Sequence, residues 1–455
     1  MRDLHAIALA LSVVGMMISP VALAQSKTSA PTSRHIIICV DGVGFSTIEK
    51  MRAEGHFKMF KAPSRMIAPF PTLTNLAMTE ILAPAGADVP EGYEDSFYDT
   101  EKNRLRGGIV DRLRGDRFLR GTFRELFDYH PSAIKSGLGY AAPPISTYFE
   151  SLSDIIRFGQ KARASDEDVF LAYTGATDSL AHLGGEKLVK SFLARLDATI
   201  NSIARDSERP VAVTIFSDHG NHYRKYKRVG LKAALRGAGF RLDSSIRDEK
   251  SVVFPQFGLI GCAVMFTKEA GEPRVAEALS GVSGVDFAAY ETNGVVHVIS
   301  QNGRARIERR DEEHFKYVAE AGDPLDLSDV MRRLAAQGKS DREGYVADAD
   351  LFEATRDNER PDAVRRVFEG VTKGANNRAN VIVNFHDGYY SGSSALDVFA
   401  FLQAAHGNLG REQSLGFVMS TNSDLPSTLR AGDVWRGIGS PILNKAMRKD
   451  KPAKS

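Results

Sequence analysis

The segment that decides the fold is Pro210-Val211-Ala212-Val213-Thr214-Ile215-Phe216-Ser217-Asp218-His219-Gly220, an apolar, β-branched run that ends in polar residues. Three more runs have the same form, at residues 35–40, 169–173 and 379–384. Continuous apolar strands are buried on both faces of a sheet, and helical patterns, such as residues 186–205 and 228–237, lie between these runs. This alternation predicts an α/β fold with a doubly wound, mostly parallel sheet, which binds its ligands beyond the carboxyl ends of its strands.

Residues 284–375 have a different pattern. Two strand-like runs flank Asn302-Gly303, a favoured turn pair, and predict a β-hairpin. A helical pattern follows near residues 328–336. We interpret residues 284–375 as a small α+β cap inserted into the α/β core, which then comprises residues 25–283 and 376–444. Residues 88–120 are interpreted as a long irregular excursion.

Composition limits the classes of function. The 455 residues include 59 basic and 57 acidic ones, for a formal net charge of +2. This balance gives no general attraction to nucleic acid, so we expect no nucleic-acid partner. Cys39 and Cys262 lie in apolar runs, which favours two core thiols without a disulfide. Two cysteines also cannot supply a four-thiolate metal site.

The N-terminal segment, residues 1–24, resembles a secretory signal peptide. Arg2 precedes an apolar run that ends in Ala22-Leu23-Ala24, the small-x-small form of a cleavage site. A membrane anchor is the alternative, since the run is nearly long enough to span, but polar residues 25–29 follow at once. We therefore expect a periplasmic or secreted protein with no transmembrane segment after cleavage. Residues 445–455 are expected to form a disordered tail.

Carboxylates and imidazoles occur where metal ligands are expected. Asp178 and His182 are four residues apart, so a helix places both side chains on one face. A strand-end aspartate by itself is more often a helix cap, and it is the joint placement that indicates a site. The candidate ligands are Asp41, Asp178, His182, Asp218, His219 and His406. Such a set suits zinc and tolerates manganese.

Thr74 is the candidate nucleophile, because a helix-prone apolar run follows it. Backbone N–H groups at a helix N-terminus favour an anion such as phosphate. The simpler interpretation is that Thr74 only caps this helix, a contribution of about 1 kcal/mol, and Thr72 is a rival nucleophile two residues upstream. A free hydroxyl is a poor nucleophile, so the catalytic role of Thr74 depends on the metal ions.

The order of these motifs resembles the alkaline phosphatase superfamily, above all its type I phosphodiesterase/nucleotide pyrophosphatase and phosphonoacetate hydrolase branch. The motifs that carry the resemblance are Asp41-Gly42, Pro71-Thr72-Leu73-Thr74, Asp178-x-x-x-His182-x-x-Gly185, Ser217-Asp218-His219-Gly220 and His406-Gly407. The resemblance extends from residue 35 to about residue 410. It implies an alkaline-phosphatase-like three-layer sandwich for the α/β core.

The resemblance also implies a two-metal site, with zinc as the expected ion and manganese as the alternative. One ion would be held by Asp178, His182 and His406, and the second by Asp41, Asp218, His219 and the hydroxyl of Thr74. The family's chemistry implies attack of Thr74 on phosphorus and a phospho-threonine intermediate, which is then hydrolysed.

The sequence departs from this branch just after the nucleophile. The branch has Pro-Asn and then Thr-Gly there, whereas this chain has Asn75-Leu76-Ala77 and then Thr79-Glu80. Asn75 is therefore the candidate for the phosphate-binding asparagine. No Cys-x-Pro-x-Arg or Ser-x-Pro-x-Arg stands at the nucleophile position, which argues against the sulfatase branch.

The sequence thus predicts an exported, metal-dependent hydrolase of small phosphate mono- or diesters, with nucleotides and lipid headgroups among the candidate substrates. Three alternatives stay open: a phosphotransferase that uses the same site, a catalytically idle metal- or phosphate-binding protein, and a phosphomutase, which export disfavours. The basic run at residues 222–228 is either an anion-binding patch or a solvated loop. Residues 386–390 either line or support the site or form a simple turn.

Overall fold

The computed structural model describes residues 33–108, 111, 114, 121–131, 144–256, 258–392 and 402–438. The predicted signal peptide, residues 1–24, and the predicted tail, residues 445–455, lie outside these ranges. No helix within the described ranges is long and apolar enough to cross a membrane.

Within the described residues the first sheet has six strands and contains β1 (Arg34–Val40), the strand that Asp41 directly follows. Across the sheet the strands are β22 (Thr428–Arg430), β2 (Ser64–Ile67), β21 (Leu415–Ser420), β6 (Val211–Phe216), β1 (Arg34–Val40) and β5 (Val169–Thr174). Strand β1 pairs in parallel with β5 and β6, and β2 pairs in parallel with β22. Strand β21 runs antiparallel to β2 and β6. Three of the four predicted strands thus form the parallel side of one sheet, with β5 at its edge.

Helices cover both faces of this sheet. The helices of the described residues, including those that pack on the second sheet, are α1 (Phe45–Ala53), α2 (Thr74–Leu82), α3 (Pro144–Ala164), α4 (Ala176–Asp206), α5 (Leu231–Gly237), α6 (Glu272–Ser280), α7 (Ser328–Ala336), α8 (Asp348–Thr355), α9 (Ala363–Thr372), α10 (Arg411–Ser414) and α11 (Val434–Ile438). Ile36 and Ile38 of β1 pack in one core with α3 and α4. Ile37 and Cys39 pack in another core with α2 and α11. This alternation produces three layers and confirms the predicted fold class.

The second sheet is mostly antiparallel. Its strands, in order, are β17 (Val346–Ala347), β16 (His314–Gly322), β15 (Gly303–Asp311), β14 (Val295–Ser300), β13 (Val285–Thr292), β18 (Val381–Phe385), β12 (Cys262–Thr267), β10 (Ser251–Val253) and β9 (Arg241–Leu242). Strands β14 and β15 form the predicted hairpin, and α7 is the predicted helix at residues 328–336. The cap boundaries at residues 284 and 375 remain a prediction, and β9 to β12 together with β18 share this sheet with the strands between those boundaries.

The placement of residues 379–384 in the parallel sheet is wrong. These residues contribute to β18, which pairs antiparallel with β12 and β13 in the second sheet. The physical reason is that a continuous apolar run is typical of any strand buried on both faces, so it does not indicate the sheet to which the strand belongs. Cys262 in β12 and Cys39 in β1 are buried free thiols, which confirms that both are core residues.

Three small sheets complete the connections. They are the hairpin β3 (Phe97–Asp99) and β4 (Arg104–Arg106), the pair β7 (His222–Tyr223) and β20 (Ala404–Ala405), and the group β8 (Lys227–Arg228), β19 (Tyr389–Gly392) and β11 (Leu259–Ile260). The first lies within the predicted irregular excursion. The pairing of Ala405 with His222 brings the following residue, His406, beside the segment that begins at Ser217.

The start of α2 packs against the second sheet. Phe70, Leu73 and Leu76 lie in one hydrophobic cluster with Phe287 of β13, and the ring centroids of Phe70 and Phe287 are 5.9 Å apart. This packing fixes the position at which α2 begins. Ion pairs add a second connection. Arg430 at the end of β22 binds Asp348 at 2.5 Å and Asp362 at 2.6 Å. Asp348 is the first residue of α8, and Asp362 directly precedes α9.

Candidate metal centre

The candidate site lies at the carboxyl ends of the central strands of the first sheet. Asp41 directly follows β1, and Ser217 separates Asp218 from the end of the neighbouring strand β6. Helix α4, which follows β5, carries two candidates in its first two turns, and the last follows β20. The six predicted ligands brought together in this way are Asp41, Asp178, His182, Asp218, His219 and His406, all of them buried.

One group of three, which we call the Asp178 triad, consists of Asp178, His182 and His406. One ligand atom from each of them lies within 4.8 Å of the others. Asp178 Oδ2 is 3.2 Å from His182 Nε2, and Asp178 Oδ1 is 3.8 Å from His406 Nε2. The first two residues share one face of α4, as their spacing predicts. The third comes from the far end of the chain.

The second group, the Asp41 triad, consists of Asp41, Asp218 and His219, again with ligand atoms within 4.8 Å of one another. His219 Nε2 is 3.5 Å from Asp41 Oδ1 and 3.4 Å from Asp218 Oδ2. Thr74 Oγ1 lies beside this triad, 3.4 Å from Asp41 Oδ1 and 3.3 Å from His219 Nε2. The rings of His219 and His406 stack with centroids 4.0 Å apart, so the two triads are direct neighbours.

Each histidine is held in the tautomer that a metal ligand requires. Its Nδ1 lies close to a backbone carbonyl oxygen: Ala404 O at 2.7 Å for His182, Gly220 O at 3.0 Å for His219 and Thr72 O at 2.8 Å for His406. A carbonyl oxygen only accepts, so Nδ1 carries the proton and Nε2 keeps its lone pair. A hydrogen bond of this kind at the remote nitrogen is the usual support of a metal-bound histidine.

The electrostatics of the site also fit divalent cations. Burial, together with the neighbouring carboxylates Asp218 and Asp178, raises the pKa of Asp41 well above its ordinary value. Burial lowers the pKa of His219 to about 4 and that of His406 to about 3, so both rings are neutral near pH 7. Among the described residues Asp218 Oδ2 is buried without a hydrogen-bond partner. Such an oxygen, in a cluster of like charges, is costly unless a cation binds it.

Thr74 is not the cap of α2. It is the first residue of the helix, and Leu73 occupies the N-cap position without a side-chain hydrogen bond. Because the hydroxyl of Thr74 faces the Asp41 triad, the simpler interpretation of Thr74 as a capping residue is wrong. Asn75 is buried beside it and donates from Nδ2 to Tyr93 O at 3.2 Å. Its predicted role in phosphate binding stays a prediction.

Thr72 has a different environment from Thr74. Its hydroxyl accepts the N–H of Gly407 at 2.7 Å and donates to Asn408 O at 3.1 Å, while its carbonyl holds His406. The side chain is fully buried. Thr72 therefore holds the loop that carries His406, and its hydroxyl is engaged by the backbone of Gly407 and Asn408.

Three residues near the ligands were missed by the sequence reasoning. Tyr173 donates to Asp41 Oδ2 at 2.5 Å, and Thr177 donates to Asp41 O at 2.5 Å. Asn221 donates to Asp178 Oδ1 at 2.9 Å. The only available signal was adjacency, since each lies within a few residues of a predicted ligand in sequence.

The basic run at residues 222–228 and the segment at residues 386–390, whose roles the sequence left open, contact each other. In the basic run, His222 and Arg224 both contact the carboxylate of Asp387, Arg224 at 2.8 Å. Gly388 has a φ of +89° in the turn that follows, so residues 386–390 include a turn. Asp387 also accepts from Gln413 Nε2 at 3.1 Å, and Gln413 Oε1 accepts the N–H of Asn408 at 3.1 Å. Asp387 thus supports the loop after His406 through Gln413.

The fold is a three-layer α/β sandwich of the alkaline phosphatase type, and two adjacent triads of candidate metal-ligand residues lie at the carboxyl edge of its first sheet. Among solved structures, phosphonoacetate hydrolase from Sinorhizobium meliloti in complex with phosphonoacetate matches with a TM-score of 0.50 and 13% identity, over 92% of this chain and 96% of that chain. Human ectonucleotide pyrophosphatase/phosphodiesterase 5 matches with a TM-score of 0.48 and 12% identity, over 90% and 95%. The match to phosphonoacetate hydrolase confirms the predicted resemblance at the level of the fold.

The sequence comparisons add nothing to this. No family model matches the chain, and no curated protein matches it in sequence.

Proposed function

We propose that this protein is an exported phosphohydrolase that uses two divalent metal ions, zinc before manganese, to cleave small phosphate mono- or diesters. The observation that carries the proposal is the position of Thr74 Oγ1 beside the Asp41 triad, 3.4 Å from Asp41 Oδ1, at the first residue of α2. Divalent ions bound by the two triads would lower the pKa of a coordinated hydroxyl and stabilise the charge that develops on phosphorus oxygens.

The chain's own residues would supply the nucleophile, the proton acceptor and the phosphate-binding groups. Thr74 Oγ1 forms the bond to phosphorus while the bond from phosphorus to the leaving ester oxygen breaks, which gives a phospho-threonine that water then hydrolyses. Asp41 Oδ1 is a carboxylate oxygen close enough to accept the proton of Thr74 as the hydroxyl attacks. The start of α2 directs its first backbone N–H groups toward the same place, where they stabilise a phosphate anion. Asn75 is proposed to add a side-chain contact to that phosphate.

The proposal is tested by turnover of p-nitrophenyl phosphate and bis-p-nitrophenyl phosphate in the purified protein, with zinc or with a chelator. We expect zinc-dependent turnover that falls by about 10³-fold or more in Thr74→Ala, as happens when a catalytic nucleophile is removed. The preferred ester would indicate whether the natural substrate is a monoester or a diester. Turnover that survives both Thr74→Ala and chelation would refute the mechanism.

Counting bound ions separates the enzyme from an idle binding protein of the same fold. The enzymatic proposal requires two ions per chain after dialysis against zinc, one lost in His406→Ala and the other lost in Asp218→Ala. A chain that binds one ion or none when fully loaded would favour the idle protein.

A further inference from the structure

Asn221 connects the two triads through a single side-chain amide. It is buried, and its Nδ2 lies 2.9 Å from Asp178 Oδ1 and 2.9 Å from Gly42 O. A carboxylate at this position and a carbonyl both accept hydrogen bonds, so only the NH₂ side of the amide can face them. The other side of the amide, Oδ1, has no hydrogen-bond partner within the described part of the chain, so these two bonds set the orientation of the side chain.

Gly42 carries the connection onward to the Asp41 triad. Its N–H donates to Asp218 Oδ1 at 3.0 Å, and it directly follows Asp41. The residue has a φ of +67°, and a Cβ there would lie 2.5 Å from Asn221 Nδ2 and 2.7 Å from Asp178 Oδ1. Only glycine permits this conformation together with so close an approach. A continuous path therefore runs from Asp178 through Asn221 and Gly42 to Asp218.

The hydrogen bond from Asn221 restricts the carboxylate of Asp178. It binds the same oxygen, Oδ1, that faces His406 Nε2, while Oδ2 faces His182 Nε2 at 3.2 Å. With Oδ1 held, the plane of the carboxylate cannot turn, and each oxygen keeps its direction toward one histidine. Residues that orient metal ligands in this way typically change metal affinity by 10- to 100-fold when they are removed.

We propose that Asn221 is a positioning residue for both metal sites. It orients Asp178 for one ion and, through Gly42, holds the Asp41 loop against Asp218 for the other. The inference rests on the proposed function, because it requires that the two triads bind divalent ions.

The test compares zinc affinity with the stability of the metal-free protein. Metal-stripped wild type, Asn221→Ala and Asn221→Leu are titrated with zinc against a chelating dye, and their Tm values are recorded with and without zinc. We expect zinc to bind 10- to 100-fold more weakly in both variants, with a correspondingly smaller rise of Tm on zinc addition. Leucine keeps the branching and the number of heavy side-chain atoms of asparagine without a donor, so it covers the case in which Asn221→Ala does not fold.

Asn380→Ala is the matched control. Asn380 also makes two hydrogen bonds through its side chain, accepting from Thr267 N at 3.0 Å and donating to Glu272 Oε1 at 2.9 Å, but it contacts neither triad. Its replacement should lower the Tm of the metal-free protein and leave zinc affinity unchanged. Wild-type zinc affinity in both Asn221 variants would overturn the inference. No zinc binding by the wild type would instead overturn the proposed function, so the two failures are distinguishable.

Discussion

At the scale of single residues, the structure shows different environments for two threonines that the sequence left as rivals. The hydroxyl of Thr74 faces the Asp41 triad, whereas that of Thr72 bonds the backbone of Gly407 and Asn408. The sequence could not separate them, because both lie in the same short Pro71–Thr74 motif. What separates them is the long-range position of the loop after residue 405.

We predict that Thr72→Val lowers the free energy of unfolding by about 1–3 kcal/mol, because it leaves a buried N–H and a buried carbonyl without their partner. Turnover should fall but survive, since Thr74, the proposed nucleophile, remains. Urea unfolding and ester hydrolysis check both points. Thr72→Ser keeps the hydroxyl and should resemble the wild type. Complete loss of turnover in a folded, fully metal-loaded Thr72→Val would make Thr72 the nucleophile.

A second residue-level prediction concerns acid stability. His35, near the amino end of β1, is buried with Nε2 2.8 Å from Thr214 Oγ1, and burial lowers its pKa to about 4 from an ordinary 6.5. A pKa that is depressed in the folded state contributes stability above pH 6.5, and this contribution is lost as the pH falls toward 4. Metal-free wild type should therefore lose about 2 kcal/mol more than His35→Gln between pH 7.5 and pH 4.5. Equal losses in urea unfolding would contradict this.

At the scale of elements, α4 is two helices joined at Gly185. Gly185 has a φ of +69° and a ψ of −174°, a conformation essentially restricted to glycine. The short first part carries Asp178 and His182, and its end is held where His182 O accepts the N–H of Gln403 at 2.9 Å. The break therefore sets the direction of the ligand-bearing segment independently of the long helix that follows.

We predict that Gly185→Ala destabilises the protein by about 1–3 kcal/mol, the cost of a non-glycine residue in this region of φ and ψ. The cost is one of backbone strain rather than collision, since the nearest atom to a new Cβ, Gln403 Cβ, would be 3.6 Å away. Gly237→Ala is the control, because that position ends α5 with nothing within 4 Å of a new Cβ. It should be neutral or slightly stabilising. Equal effects of the two substitutions on urea unfolding would argue against the strain.

The elements also show how far the sequence could be interpreted. Strands β1, β5 and β6 were predictable because each combines a continuous apolar run with a polar end, and their parallel pairing then gathers Asp41, Asp178 and Asp218. Strand β18 has the same local pattern but belongs to the second sheet, since periodicity reports burial and not partners. Asn221 was not predictable from its nearness to His219 alone, because its contacts with Gly42 and Asp178 arise only when the fold brings those residues beside it.

At the scale of the whole molecule, ion pairs with buried carboxylates connect the first sheet to the starts of α8 and α9, two helices that pack on the second sheet. Arg430 lies at the end of β22 and binds Asp348 and Asp362, both of which are buried. Removal of one partner from such a group leaves uncompensated charge in a poorly solvated place.

We therefore predict that Arg430→Ala lowers the free energy of unfolding by about 3–5 kcal/mol. Arg306→Ala provides the comparison. Its partners Glu308 and Glu320 lie on β15 and β16, and these three side chains are partly exposed. An exposed pair contributes about 0–1 kcal/mol. Urea unfolding of both variants measures the difference, and similar values for the two would show that the ion pairs of Arg430 are not important for stability.

The candidate metal ligands are widely spaced along the chain, so the two triads become complete at different times during synthesis. The Asp41 triad has all its side chains once residue 219 has left the ribosome, but the Asp178 triad waits for His406, after both sheets have nearly all their strands. If both triads bind ions as proposed, a nascent chain, or one truncated before residue 406, could not hold both, and the ion of the Asp178 triad could bind only when the polypeptide is almost complete.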